Sequence, residues 1–187
     1  ARRMSWSYAL VGFMAALAVG CNALAGQNDP RLHELFAELR KAENIPDVAD
    51  IESQIWHIWS LTDDPAVDRI LASGTAAMNN RAFDAALVSF NTVIELKPEF
   101  AEGWNKRATL YYLMGKFSLS INDVERTLAL EPRHFGALSG LGLIHMALEN
   151  PARAMNAFER ALVVHPHMPH AKLMIKKLRP IVQHSTI

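Results

Sequence analysis

One serine in the chain lies among glycines, in the segment GALSGLG around Ser139, where a nucleophile could be presented. A nucleophile elbow needs glycine two residues before and two residues after the serine, on a turn between a strand and a helix. Those positions hold Ala137 and Leu141, and no strand pattern precedes them. Gly140 and Gly142 lie inside the same helical pattern, which argues against a dinucleotide-binding loop. We therefore predict no catalytic residue and no cofactor, and we expect the protein not to be an enzyme.

The histidine-rich segment HPHMPH could bind a metal ion. It contains His165, His167, His170 and Met168. Imidazole and thioether ligands together suit copper or zinc, but two prolines stiffen the segment and hold the rings apart, and no cysteine or carboxylate is adjacent. His134 lies in an equivalent turn earlier in the chain, in the segment EPRH, which indicates a turn that tolerates polar rings. We predict no metal site.

An aromatic segment, IESQIWHIWS, could form a platform for a ligand. Its isoleucines, Trp56 and Trp59 have the spacing of one face of an amphipathic helix. Large aromatic side chains on such a face seal a core, and this is our prediction. The alternative is that one tryptophan remains exposed as a docking point for a protein or a membrane.

These segments are positioned by an internal repeat. Pro98, Pro132 and Pro166 recur at one exact interval, and each follows a helical pattern: IELKP, LALEP and LVVHP. Other positions recur in step, with small residues where two helices would approach closely and large apolar residues where they would fill the space. The small series are Gly74, Ala108 and Gly142, and Ala86, Ser120 and Ala154; a large series is Phe90, Val124 and Phe158.

The pattern resembles the tetratricopeptide repeat, a helix-turn-helix unit whose period of about 34 residues equals the interval between these prolines. The resemblance implies an all-α solenoid of antiparallel helix pairs, with repeats at 67–100, 101–134 and 135–168. Residues 26–66 would add a degenerate N-terminal helix pair at the front of the stack, because an open solenoid end exposes a helix face. Residues 169–187 would form a lysine-rich capping helix and tail, with three residues facing inward: Leu173, Ile175 and Leu178.

The resemblance also implies where a partner would bind. In this family the first helices of successive repeats line a concave groove. The groove residues that we predict to contact a partner are Met78, Asn105, Lys106, Thr109, Tyr112, Ser139, Gly140, Leu143 and Met146. Met78, Tyr112 and Met146 share one repeat position and would form an apolar stripe suited to an extended segment or a short helix. The alternative is that the N-terminal pair or the C-terminal helix covers this stripe.

Charge and composition narrow the class of partner. The chain has 19 basic and 19 acidic side chains, and no basic stripe indicates nucleic acid. The groove lacks the several basic residues with which some relatives clamp carboxylate-ended tails. Our main hypothesis is a non-catalytic scaffold that binds a protein or peptide segment in the groove. The alternative is a permanent structural or assembly subunit of an envelope or organellar complex, docked through another face.

Residues 1–25 have the order of an export signal: Arg2 and Arg3, a long uncharged run, and the triplet Ala-Leu-Ala ending at Ala25. We predict cleavage after Ala25 and a periplasmic or otherwise exported protein, similar to small exported proteobacterial proteins of this family. The alternatives are a lipoprotein anchored at Cys21, a mitochondrial presequence, and a retained membrane anchor. Cleavage would remove the only cysteine and leave 17 basic and 19 acidic residues.

Overall fold

A computed structural model describes residues 25–184, so the predicted leader up to residue 24, with Cys21, and the tail from residue 185 lie outside the described residues. Within this range the chain forms one short 3-10 turn and nine α-helices, without a strand, which confirms the all-α prediction. The helices are α1 (Arg31–Lys41), α2 (Ile45–Trp59), α3 (Pro65–Asn79), α4 (Phe83–Leu96), α5 (Ala101–Leu113), α6 (Phe117–Leu130), α7 (Phe135–Ala147), α8 (Pro151–Val164) and α9 (Pro169–His184). No helix in this range is both long and apolar enough to cross a membrane.

Polar caps and prolines fix where several helices begin. Asn44, Asp64 and Asn150 each accept a hydrogen bond from a backbone N–H of the first helical turn, and each is followed within two residues by a proline. Such caps satisfy N–H groups that have no partner inside the helix, while proline has no N–H to leave unpaired there. The starts of α2, α3 and α8 are therefore set locally.

The turn inside each repeat places one residue in the left-handed region, at Arg81, Gly115 and Glu149, with φ values of 62°, 70° and 53°. These three positions are separated by the same interval as the repeated prolines. Only Gly115 adopts this conformation without a steric penalty. The turn geometry therefore follows the repeat even where the residue type does not favour it.

Paired small and large residues bring the two helices of a repeat close together. A Cβ atom added to Gly74 would lie 2.7 Å from the Phe90 ring, and one added to Gly142 would lie 2.6 Å from the Phe158 ring. The middle repeat has alanine and valine at these two positions, and both are buried. The volume removed from one helix is thus occupied by the side chain of the other.

The N-terminal pair does not extend the front of the stack as predicted. Helices α1 and α2 pack on the third repeat and the turn after it, on the concave side of the array. Their buried residues form one apolar cluster with Phe135, and Val164 and Met168 pack against it. The reason is that α2 carries a large aromatic face, and the start of α7 offers aromatic rings of matching size.

Helix α9 covers the last repeat, as expected of a capping helix. Its buried residues are Ala171, Met174, Ile175 and Leu178, which pack on Ala154 and Phe158. The prediction that Leu173 faces inward was wrong, since this side chain is 47% exposed. The buried set has spacings of three, four and seven residues along one helix face, and Leu173 falls outside that face.

Candidate functional site

Helix α2 occupies one end of the predicted concave groove. The Trp56 ring lies against the backbone of Gly136 so closely that an added Cβ would be 2.5 Å from it. Trp59 stacks on His134, with ring centroids 4.2 Å apart and planes at 8°. Trp56 meets the edges of His134 and Phe135 at 5.5 Å and 5.4 Å. This aromatic cluster fills one end of the groove, so both tryptophans contribute to a core.

A buried polar network lies beneath the aromatic cluster. The Glu102 carboxylate is 3.0 Å from His134 Nε2, accepts a hydrogen bond of 2.9 Å from Asn105, and pairs with the Lys106 ammonium at 3.1 Å. His134 Nδ1 accepts a hydrogen bond from the N–H of Ala137. Because Nδ1 is an acceptor, the proton of the neutral ring is on Nε2 and is donated to Glu102. His134 thus caps α7 and orients Glu102.

Two opposing effects set the pKa of Glu102. Burial raises this pKa, but the hydrogen bond with His134 and the charge of Lys106 outweigh burial, and the pKa lies below its usual value. The carboxylate therefore remains ionised at neutral pH inside the protein. Its charge is balanced by Lys106, whose ammonium also lies 5.9 Å from the centre of the Trp56 ring.

The part of the groove that α2 does not fill is a cavity of about 380 Å³. Six predicted groove residues line it together: Asn105, Thr109, Tyr112, Ser139, Gly140 and Leu143. Helix α2 contributes Glu52 and Trp56 to the wall. A Cβ atom added to Gly140 would meet no atom within 4 Å, so the floor of the cavity is open at this glycine.

Three predicted groove residues lie elsewhere. Met78 is only 7% exposed and packs in the core cluster that α3, α4 and α5 share. Met146 is 37% exposed and does not line the cavity. Lys106 is held by Glu102. The apolar stripe predicted from Met78, Tyr112 and Met146 is therefore wrong as a continuous surface, because Met78 is buried and Met146 does not line the cavity.

Glu52 stands at the cavity mouth, beside the buried ring of His165, and neither residue was among the predicted groove residues. The Glu52 carboxylate is 3.4 Å from His165 Nε2, while His165 Nδ1 accepts a hydrogen bond from the N–H of His167. Burial lowers the pKa of His165, and this effect outweighs the raising effect of Glu52. No sequence pattern pointed to Glu52, because its position depends on where α2 packs.

The histidine-rich segment is organised by the turn before α9. The rings of His165 and His167 are 6.2 Å apart and inclined at 58°, while His170 packs edge-on to Phe158. Among residues 25–184, no group of three or more histidine, cysteine, aspartate or glutamate side chains is arranged to hold a metal ion. In this turn the His165 ring forms hydrogen bonds and the His170 ring packs on the core.

Comparison with known proteins identifies the family. The sequence model described as Tetratricopeptide repeat matches residues 106–169. A TPR repeat-containing protein of Rhizobium etli is 35% identical over 136 residues, which cover 73% of this chain and 67% of the relative. The chain belongs to the tetratricopeptide repeat family.

Other known proteins are similar over shorter parts. The Hsp70-Hsp90 organizing protein of Triticum aestivum is 29% identical over 99 residues, 53% of this chain and 17% of that protein. The solved first TPR of Spaghetti, bound to the HSP90 peptide SRMEEVD, superposes with a TM-score of 0.60 at 20% identity and covers 63% of this chain and 93% of that one. This structural likeness shows the solenoid fold.

Proposed function

We propose that this tetratricopeptide repeat protein is a non-catalytic scaffold that binds a segment of another protein in the cavity between α2, α5 and α7. The observation that carries the proposal is the open cavity of about 380 Å³, lined by six residues of the family's groove positions. Its size falls within the range of about 300–1,000 Å³ typical of ligand pockets. A relative with the same fold holds a peptide, which supports a protein segment as the ligand.

Gly140 provides the most direct test. Gly140→Leu should place a side chain in the open space and block the cavity without a core clash, because an added Cβ meets no atom within 4 Å. Gly140→Ala is the matched control, with a similar change of helix propensity but little added volume. Leu138→Ala, at a buried position of the same helix, should cost about 2–5 kcal/mol of stability. It is the control that shows how much binding is lost when the protein is destabilised and the cavity is not blocked.

The assay is photo-crosslinking in the native compartment. A photoreactive residue at Thr109, on the cavity wall, should form a covalent adduct with one protein partner, whereas the same residue at Glu125, an exposed position of α6, should not. Gly140→Leu should remove the adduct while Gly140→Ala retains it. An adduct that forms equally well in Gly140→Leu would refute the cavity as the binding site.

The second candidate function is a permanent subunit docked through another face. The observation that favours this function is a shallow groove of about 610 Å³ between α8 and α9, at the C-terminal end of the array. Val163 in this groove is 77% exposed, and lysines of α9 line it. A stoichiometric complex that survives washing with high salt and detergent, and that is insensitive to Gly140→Leu, would favour this function.

We also propose export of the mature chain from Gly26 onward. The proposal is supported by the order of charged, apolar and small residues over positions 1–25. N-terminal sequencing of the protein expressed with its own leader in a bacterium tests it. A periplasmic protein that begins at Gly26 is the expected result, and a lipid-carrying terminus at Cys21 would support the lipoprotein alternative.

A further inference from the structure

The shape of the cavity limits what can enter it. Helix α2 closes one end, and the floor is apolar, with Ala108, Val124 and Ile144 buried in it. A volume of about 380 Å³ accommodates one or two bulky side chains but not a helix with side chains, whose diameter is about 10–12 Å. A bound segment would therefore lie across the mouth and insert an apolar anchor.

The charge contributed by the residues that line the cavity is negative. Among the described residues that line this cavity, Glu52 is the one that carries a formal charge, and its side chain is 39% exposed. Its contact, His165, does not cancel that charge, because the ring is neutral at neutral pH: burial lowers its pKa. The nearby ammonium of Lys106 is already paired with the buried carboxylate of Glu102.

We propose that the cavity selects protein segments in which a bulky apolar side chain is flanked by lysine or arginine, with the flanking cation pairing with Glu52. The inference rests on the proposed binding of a segment in this cavity and specifies its chemistry. An acidic segment such as SRMEEVD, held by the Spaghetti domain, would place its carboxylates beside Glu52 and is rejected. The negative charge of Glu52 thus attracts a cationic segment and repels an anionic one.

The test uses defined peptide probes. First, peptides displayed on phage are selected for binding to the intact protein. Second, three synthetic peptides, capped at both ends, are compared; they differ only in the residues that flank a central Phe, which are Lys, Ser or Glu. Their affinities are measured by fluorescence anisotropy at low and high salt. The expected order is Lys, then Ser, then Glu, and the preference for Lys should shrink at high salt because exposed charges are screened.

Two substitutions at one position test the role of Glu52. Glu52→Gln should weaken the Lys-flanked peptide by about 2- to 5-fold, as for a partly exposed ion pair, and leave the Ser-flanked peptide unchanged. Glu52→Lys should reverse the order of the Lys- and Glu-flanked peptides. Thermal unfolding of both variants checks that the fold is retained.

The outcomes separate this inference from the proposed function. Binding in the cavity predicts peptides that bind Gly140→Ala but not Gly140→Leu. If the selection yields no such peptide, binding in the cavity is refuted, and the inference about charge is refuted with it. If selected peptides depend on Gly140 but carry acidic flanks, or bind Glu52→Gln and Glu52→Lys as they bind the natural protein, the cavity binds a segment and only the charge selection is refuted.

Discussion

The close contact between Gly142 and Phe158 predicts a measurable energetic coupling. A Cβ at Gly142 would lie 2.6 Å from two atoms of the Phe158 ring, well inside van der Waals contact, and the ring is fully buried. Overpacking of this kind costs about 1–3 kcal/mol, and alanine recovers about 1 kcal/mol through its higher helix propensity than glycine. We therefore expect Gly142→Ala to destabilise the protein by up to about 2 kcal/mol.

The second substitution should relieve the first. Phe158→Val alone should cost about 2–4 kcal/mol, because it removes most of a buried ring and leaves a cavity. The double variant places in the third repeat the alanine and valine that the second repeat has at these positions, Ala108 and Val124. Its loss of stability should be smaller than the sum of the single losses by about 1–3 kcal/mol.

Urea unfolding of the four proteins measures this coupling, with midpoints compared at an unchanged m value. Gly140→Ala is the control, since its Cβ meets no atom within 4 Å. It should raise stability by up to about 1 kcal/mol and combine with Phe158→Val additively to within about 0.5 kcal/mol. If Gly142→Ala is equally additive with Phe158→Val, the small and large positions do not compensate and this account of the repeat packing is wrong.

Two further predictions concern the N-terminal pair and pH. Trp59→Ala should cost about 3–5 kcal/mol, because this ring is only 1% exposed and stacks on His134; a loss below about 1 kcal/mol in urea unfolding would show that α2 does not seal the array. The pKa of His165 is lowered, chiefly by burial, so at a pH between its folded-state pKa and about 6.5 the unfolded chain binds a proton that the folded chain does not. Stability should therefore fall as the pH decreases through about 6.5. His165→Gln should make that decrease smaller, and an unchanged pH dependence would contradict the assignment.

The sequence by itself determined the repeat architecture. Proline spacing, the recurring glycine–phenylalanine pairs and the helical periodicity are local or nearest-neighbour properties, and each repeat packs mainly on the next one. For the same reason the register of the family placed six groove residues around one cavity, from Asn105 to Leu143. A position in a regular solenoid can be predicted from its place in the period.

The tertiary structure alone decided what fills the groove. The pattern of α2 shows that Trp56 and Trp59 need a partner surface, but periodicity within a helix carries no information about which distant surface provides it. Glu52 therefore lies at the cavity mouth, and Met78 is buried in the core, without a sequence signal for either position. Contacts between residues far apart in the chain depend on the shape and polarity of both surfaces, and those exist only once the repeats have stacked.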